Sequence, residues 1–111
     1  MMDLILLLKH HEILCDESYD ILQEKVRNYS GTTGDVFTNF RRVEDLGICS
    51  LETGILARIS DKLGRLVTHI NSEGGLVGHE GFTDSIHDLI NYLIFLHAAV
   101  HRSSVTDDSG N

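Results

Sequence analysis

Apolar side chains in the first quarter of the chain recur at steps of three or four residues, the repeat of one face of an α-helix. This pattern predicts a first helix from Leu4 to Tyr29. The stretch from His10 to Asp16 is where such a helix could break. Ser30 and Gly31 supply a C-terminal stop, because glycine ends helices readily.

The next segment predicts a short helix. Asp35 is a suitable N-cap, and the segment ends near Gly47. One face of this helix would carry the apolar residues Val36, Phe37, Phe40 and Val43. It therefore has a side to pack against a longer helix.

A third helix is predicted from Leu51 to Ile70, with Ser50 as its N-cap. Gly54 and Gly64 each weaken such a helix by about 1 kcal/mol relative to alanine. Small residues at helical spacing let a neighbouring helix approach closely. We therefore expect such an approach at both glycines.

The last segment follows a glycine-rich loop at residues 73–78 and predicts a fourth helix from about Glu80 to Arg102. The part from Leu89 to Val100 is apolar on nearly every side, which is typical of a helix buried in a bundle or at a subunit interface. The polar tail at 103–111 is expected to be disordered. The predicted fold is an all-α four-helix bundle forming one domain at 1–102 and completed by oligomerisation.

Composition limits the possible partners of this bundle. The chain has 111 residues, no proline, a net charge of −8 and a pI near 5.2. Such acidity disfavours a broad surface for nucleic acid or anionic membrane. The apolar run from Leu4 to Leu8 is far shorter than the roughly 20 residues of a membrane span. Cys15 and Cys49 form no metal or redox motif, so we expect a cytoplasmic protein.

An acidic row opens the fourth helix. Glu80, Asp84 and Asp88 recur at every fourth residue, and Asn91 and Tyr92 follow one turn later. Side chains spaced in this way lie along one edge of a helix, where like charges repel one another. A divalent metal, cations on a partner helix, or solvent would compensate them.

A cationic row on the third helix matches the acidic one, since Arg58, Lys62 and Arg65 also share one edge, followed by His69. Two interpretations stay open. The rows form a structural ion-pair network, or the carboxylates hold Mg²⁺ while the cations bind the phosphate oxygens of a nucleotide.

Three further groups have interpretations of their own. Asp16, Glu17, Asp20 and Glu24 on the first helix are typical of a solvated face, and in the alternative interpretation Glu17, Asp20 or Glu24 completes a metal shell from across the bundle. His97 and His101 have the spacing of a zinc pair but no evident third ligand. His79 and His87 flank the acidic row and are candidate proton shuttles.

Two motifs carry a family resemblance. ARISDKLGRL at residues 57–66 and EGFTDSIHDLINY at residues 80–92 resemble the nucleotide modification associated domain family, small proteins common in bacteriophages. EKVRNYS at residues 24–30 is similar to that family's Lys and Asp-Tyr-Gly element, with Asn28 and Ser30 as departures from it. The helical pattern is also distantly similar to all-α MazG-type nucleotide pyrophosphohydrolases. The resemblance marks as site residues Lys25, Tyr29, Asp61, Lys62, Arg65, Glu80, Asp84, Asp88, Asn91 and Tyr92.

Three functions are consistent with this sequence. In the first, the bundle binds a phosphorylated nucleotide and, if it is an enzyme, hydrolyses a phosphoanhydride with Mg²⁺. Its catalytic and metal-binding residues would be Glu80, Asp84 and Asp88, and its ligand-binding residues would be Lys25, Tyr29, Arg58, Lys62, Arg65, Asn91 and Tyr92. In the second, the protein only sequesters a nucleotide-derived defence signal, in the host cytoplasm if a phage encodes it. In the third, it is a structural oligomerisation module. A homo-oligomer is expected in all three.

Overall fold

The computed structural model describes residues 1–31, 34–72 and 79–110, with side chains for all of these except His79 and residues 103–110. This part of the chain contains four α-helices and no strand. The helices are α1 (Leu4–Ser30), α2 (Arg41–Asp45), α3 (Leu51–Asn71) and α4 (His79–Gly110). The prediction of an all-α fold is therefore confirmed. The glycine-rich loop predicted at 73–78 lies outside the described residues.

Helix α1 is continuous, so the break considered between His10 and Asp16 does not occur. No proline or glycine interrupts its hydrogen-bond ladder there. The Asp3 carboxylate caps the start by accepting a hydrogen bond of 2.9 Å from the Leu6 backbone N–H. Gly31 ends the helix with a φ of 68°, a conformation that glycine adopts without steric cost.

The segment between α1 and α3 differs in part from its prediction. Asp35 is not the N-cap that was predicted, because Phe37 and Phe40 occupy the N-cap positions of the two short helices and neither makes a side-chain cap hydrogen bond. The Asp35 carboxylate instead accepts a 3.0 Å hydrogen bond from the Phe37 N–H in the turn before them. The first turn, however, is a 3₁₀ helix at Thr38–Phe40, and α2 begins only at Arg41. Phe37 and Phe40 are buried whereas Val36 is exposed, because the tighter turn does not keep all the predicted apolar positions on one face.

Helices α3 and α4 pack antiparallel and form the main core. Leu51, Ile55 and Ile59 of α3 meet Leu89, Phe95 and Ala99 of α4, together with Phe37 and Phe40. Ser50 caps α3 as predicted, because its hydroxyl accepts a hydrogen bond of 3.1 Å from the Thr53 N–H.

The two glycines of α3 have different surroundings. A Cβ at Gly54 would lie 2.7 Å from the Val43 Cγ2 atom, so glycine is what allows α2 to approach. A Cβ at Gly64 would meet nothing within 4 Å. The expected close approach is thus confirmed at Gly54 and wrong at Gly64.

The apolar stretch of α4 is buried on one face only. Leu89, Phe95 and Ala99 lie in the core, whereas Leu93, Ile94 and Val100 are 52%, 56% and 60% exposed. Cover of this second face by another subunit stays a prediction.

Helical backbone in α4 continues to Gly110, past the boundary predicted at Ser103. The Ser, Thr and Asp residues there lower helix propensity without breaking the ladder as proline would. The single domain at 1–102 and the disorder of the tail stay predictions.

The N-terminal apolar run does not join the core, since all of Leu4–Leu8 is exposed on α1. None of the helices in the described part of the chain combines the length and apolarity that crossing a membrane requires. Cys15 and Cys49 are both free thiols.

We expect Ile55→Ala to lower the free energy of unfolding by about 2–4 kcal/mol, because Ile55 is fully buried and its truncation leaves a cavity. Ile48→Ala is the matched control, since Ile48 is mostly exposed and should change stability by less than about 0.5 kcal/mol. Urea unfolding followed by circular dichroism measures both. Equal losses would contradict this core assignment.

Candidate functional site

Asp88 of α4 joins three helices through its two carboxylate oxygens. Its Oδ2 atom lies 2.7 Å from the Lys62 Nζ atom of α3, and its Oδ1 atom lies 3.3 Å from the Lys25 Nζ atom of α1. Lys62 is only 17% exposed, whereas Lys25 is 61% exposed. The shorter and more buried pair with Lys62 is therefore the stronger of the two contacts.

These contacts change the protonation of Asp88. Burial of the carboxyl group by itself raises its pKa. The hydrogen bond from Lys62 and the charge of Lys25 together outweigh that effect, so the pKa of Asp88 lies below its ordinary value. Asp88 is thus a carboxylate at neutral pH.

The acidic and cationic rows meet at this one point. Glu80 and Asp84 are exposed, and so is Arg65. Among the described residues none of these three forms an ion pair. Asp61, marked by the family resemblance, is also exposed on α3. The structural ion-pair interpretation thus describes Asp88 with Lys62, but it does not extend along the rows.

A cavity of about 240 Å³ opens beside Asp88, between α1, α3, α4 and the 3₁₀ turn. Six of the predicted residues line it, namely Lys25, Tyr29, Arg58, Asp88, Asn91 and Tyr92. Leu22, Asn39, Phe40 and Phe95 complete the wall. The sequence patterns therefore predict most of the polar lining, and Asn39 is the polar residue of the lining that they do not predict.

The aromatic side of the cavity is built by ring contacts. Phe40 packs edge-on against Phe95 with ring centroids 5.0 Å apart, and against Tyr92 with centroids 6.0 Å apart. Phe40 and Phe95 have the apolar spacing of core residues, so nothing in the sequence distinguishes them as part of a pocket. Asn39 has no periodic signal because it lies in the 3₁₀ turn.

Two polar residues of the lining also hold the fold together. The buried Asn91 donates from Nδ2 to the Ser18 carbonyl oxygen at 3.1 Å and so joins α4 to α1. The Tyr29 hydroxyl donates a long hydrogen bond of 3.5 Å to the Val36 carbonyl oxygen. Burial, with a contribution from Tyr92, raises the pKa of Tyr29 and keeps it a neutral donor.

A second polar contact joins α1 to α4 beside Asn91. The buried His87 places its Nε2 atom 3.1 Å from the Glu17 Oε1 atom. Asp16, Asp20 and Glu24 of the same acidic cluster are exposed, as expected of a solvated face. His87 is enclosed, so its position does not favour the role of a proton shuttle to solvent.

The metal ligands predicted from the acidic row do not form a coordination set. No group of three or more His, Cys, Asp or Glu side chains suitable for a metal occurs among the described residues. Asp88 faces two ammonium groups, and Glu80 and Asp84 point to solvent. The residues as arranged do not fit a Mg²⁺ ion, and a magnesium role for them stays a prediction. His97 and His101 stack with centroids 4.2 Å apart on the exposed surface.

Comparison of this chain with protein families, with curated proteins and with solved structures finds no match. The relation to the nucleotide modification associated domain family therefore stays a prediction from the sequence motifs. An all-α fold supports many activities, so function has to be argued from the chemistry of the site.

We expect Asp88→Asn to lower the free energy of unfolding by about 1–3 kcal/mol at pH 7, because it leaves Lys62 without its charged partner. The pKa of Asp88 is lower in the folded than in the unfolded chain, so its stabilisation is present at neutral pH and is lost as the pH falls through the folded-state pKa. The difference from wild type should therefore narrow at about pH 3, in urea unfolding.

Asp84→Asn is the matched control, because Asp84 is exposed one turn earlier on the same edge of α4. Its stability change should stay within about 0.5 kcal/mol at both pH values. An Asp88→Asn deficit that is the same at pH 7 and pH 3 would contradict the ion-pair assignment.

Proposed function

We propose that this protein binds a small phosphorylated nucleotide in the cavity beside Asp88. The observation that carries the proposal is the lining itself, which combines two cations, Lys25 and Arg58, with four aromatic rings. Phosphates need cationic donors, and a base needs a flat apolar surface. A net charge of −8 makes such a local cationic wall more notable, because the rest of the chain repels anions.

The phosphate end of the ligand is assigned to Arg58 and Lys25. Arg58 has no carboxylate partner among the described residues, so its guanidinium is available for bidentate contact with phosphate oxygens. Lys25 is mostly exposed, and its Nζ atom lies 3.3 Å from Asp88. Because exposed ion pairs are weak, its ammonium group can turn toward an anion at little cost in free energy. Lys62 is committed to Asp88 and keeps that carboxylate from repelling the ligand.

The base end is assigned to Phe40, Tyr92 and Phe95. Stacking on such rings contributes about 1–3 kcal/mol per base and accepts any base. Asn39 and Asn91 add amide groups to the same lining. The volume of about 240 Å³ lies below the range of about 300–1,000 Å³ usual for ligand pockets, which favours a single nucleotide over a dinucleotide.

Binding without catalysis is favoured over Mg²⁺-dependent hydrolysis. The carboxylate that lines the cavity is already compensated by two lysines, whereas a metal ligand needs its charge for the ion. Sequestration of a nucleotide, as in a phage protein that removes a signal, needs only the cations and the rings. Hydrolysis by a MazG-type mechanism is the second candidate, supported by the distant similarity of the helical pattern to the all-α MazG-type pyrophosphohydrolases.

We expect Arg58→Ala to weaken nucleotide binding at least tenfold, because it removes the cation assigned to phosphate. Arg65→Ala is the matched control on the same edge of α3, and it should change affinity less than twofold, because Arg65 does not line the cavity. A thermal-shift screen of nucleoside mono-, di- and triphosphates selects the ligand, since ligand binding raises the melting temperature. Isothermal titration calorimetry then measures both variants.

If no nucleotide of the panel raises the melting temperature, the proposal of nucleotide binding is contradicted. Loss of binding in Arg65→Ala with retention in Arg58→Ala would move the site to the exposed edge where Glu80 and Asp84 lie.

We expect EDTA to leave the affinity unchanged and Asp84→Asn to bind as the wild type does, because binding as proposed uses no metal. Titration calorimetry with and without Mg²⁺ measures the affinity, and chromatography of the incubated nucleotide measures turnover. Release of pyrophosphate or phosphate that requires Mg²⁺ and is lost in Asp84→Asn would instead support the hydrolase candidate.

A further inference from the structure

Helix α3 carries an apolar stripe that no part of the described chain covers. Leu56, Leu63, Val67 and Ile70 are between 50% and 60% exposed. At 100° per residue these four lie about 90° around the helix from the buried stripe of Leu51, Ile55 and Ile59. They lie about 170° from Gly54, the position at which α2 packs.

Helix α4 carries a matching stripe. Leu93 and Val100 are more than half exposed, and Ile86 and Ile90 on the same side are half-buried. This stripe lies about 100° around α4 from its contact with α3. It lies roughly 150° from the positions that contact α1, which are His87, Asp88 and Asn91.

The two stripes fall on the same side of the α3–α4 hairpin. On both helices the exposed stripe lies about 90–100° beyond the contact between α3 and α4, measured in the direction in which the chain winds around the helix. In an antiparallel pair of helices, stripes placed in this way fall on the same side of the pair. Helix α1 and the cavity occupy the opposite side, because Arg58 and Asp88 line the cavity together with Lys25. The apolar side is therefore continuous across two helices and separate from the proposed nucleotide site.

Charge is nearly absent from this side. Among the described residues on this apolar side, Glu52 is the one Asp, Glu, Lys or Arg, and it pairs with Arg102 at the end of the hairpin. His97 and His101 are also exposed on this side of α4, and apart from them and Glu52 the described side chains here offer no ionisable group to a charged partner. The side therefore fits a second surface that is equally apolar.

We propose that a second copy of this chain packs on this side, hairpin against hairpin, as the interface of a homodimer. A two-fold axis makes a surface its own partner, so an uncharged surface meets no like-charge repulsion. Six apolar side chains on this side are 50–60% exposed in the single chain, namely those of Leu56, Leu63, Val67, Ile70, Leu93 and Val100. They would form the centre of an interface whose standard size is about 800 Å² per partner. Two hairpins stacked in this way form a four-helix bundle with both cavities facing outward.

The test is the mass of the protein in solution, by light scattering coupled to size exclusion at about 1–100 µM. We expect a dimer for the wild type and a monomer for Leu63→Glu and for Leu93→Glu, because each places an unpaired charge in the interface. The dissociation constant should rise at least tenfold while far-ultraviolet circular dichroism keeps its helical signal. Ile48→Glu is the control at an exposed position outside the proposed interface, and it should stay dimeric.

Ile5→Glu separates this interface from association through the exposed start of α1 and should also stay dimeric. If the glutamate variants unfold, Leu63→Ala replaces them, and its melting temperature should depend less steeply on protein concentration than that of the wild type, because unfolding of a dissociated monomer does not depend on concentration. Any one of three results would overturn the proposal. The wild type is a monomer at 100 µM, Leu63→Glu and Leu93→Glu both stay dimeric, or Ile5→Glu dissociates the dimer. The proposal does not depend on the nucleotide site, whose binding should persist in the monomeric variants.

Discussion

The carboxylate of Asp88, held between Lys62 and Lys25, is the interaction that the rest of the structure depends on. It brings one residue from each of α4, α3 and α1 to a single point, and the cavity opens beside that point. The two ion pairs of Asp88 have different roles, because charges attract more strongly where water is excluded. The enclosed pair with Lys62 fixes α3 against α4, whereas the exposed Lys25 holds α1 more loosely and keeps its ammonium group near solvent.

The helices were predictable because each carries an apolar repeat of its own, and so was the meeting of an acidic with a cationic edge. The sequence did not predict which residues of those two edges would meet. Successive steps of four residues advance about 40° around a helix, so a row drifts across its surface. Asp88 lies where both α1 and α3 reach it, while Glu80 and Asp84 lie before that point, in solvent. Arg58, Lys62 and Arg65 separate in the same way, into a cavity residue, an ion-pair residue and an exposed residue.

The apolar part of the site could not be predicted from a single chain. Phe40 and Phe95 have the same spacing as residues that only fill a core, yet both line the cavity, Phe40 from the 3₁₀ turn and Phe95 from α4. A turn has no repeating sequence pattern, so Asn39 could not be predicted as a lining residue either. Gly54 and Gly64 make the same point for packing, since identical residues on one helix face Val43 in one case and open space in the other.

The seam between α1 and α4 has a further consequence. Asn91 with Ser18, His87 with Glu17, and Asp88 with Lys25 are directional contacts, so α1 docks in one register and has little freedom to slide. Ser18 is the one buried residue of α1, whereas α3 buries Leu51, Ile55 and Ile59, so α1 is held by less apolar burial than the α3–α4 core. Local opening of the native state should therefore begin with α1. Because α1 supplies Lys25 and Tyr29, a bound nucleotide and the closed position of this helix favour one another, and occupancy of the cavity would slow amide exchange along α1 first.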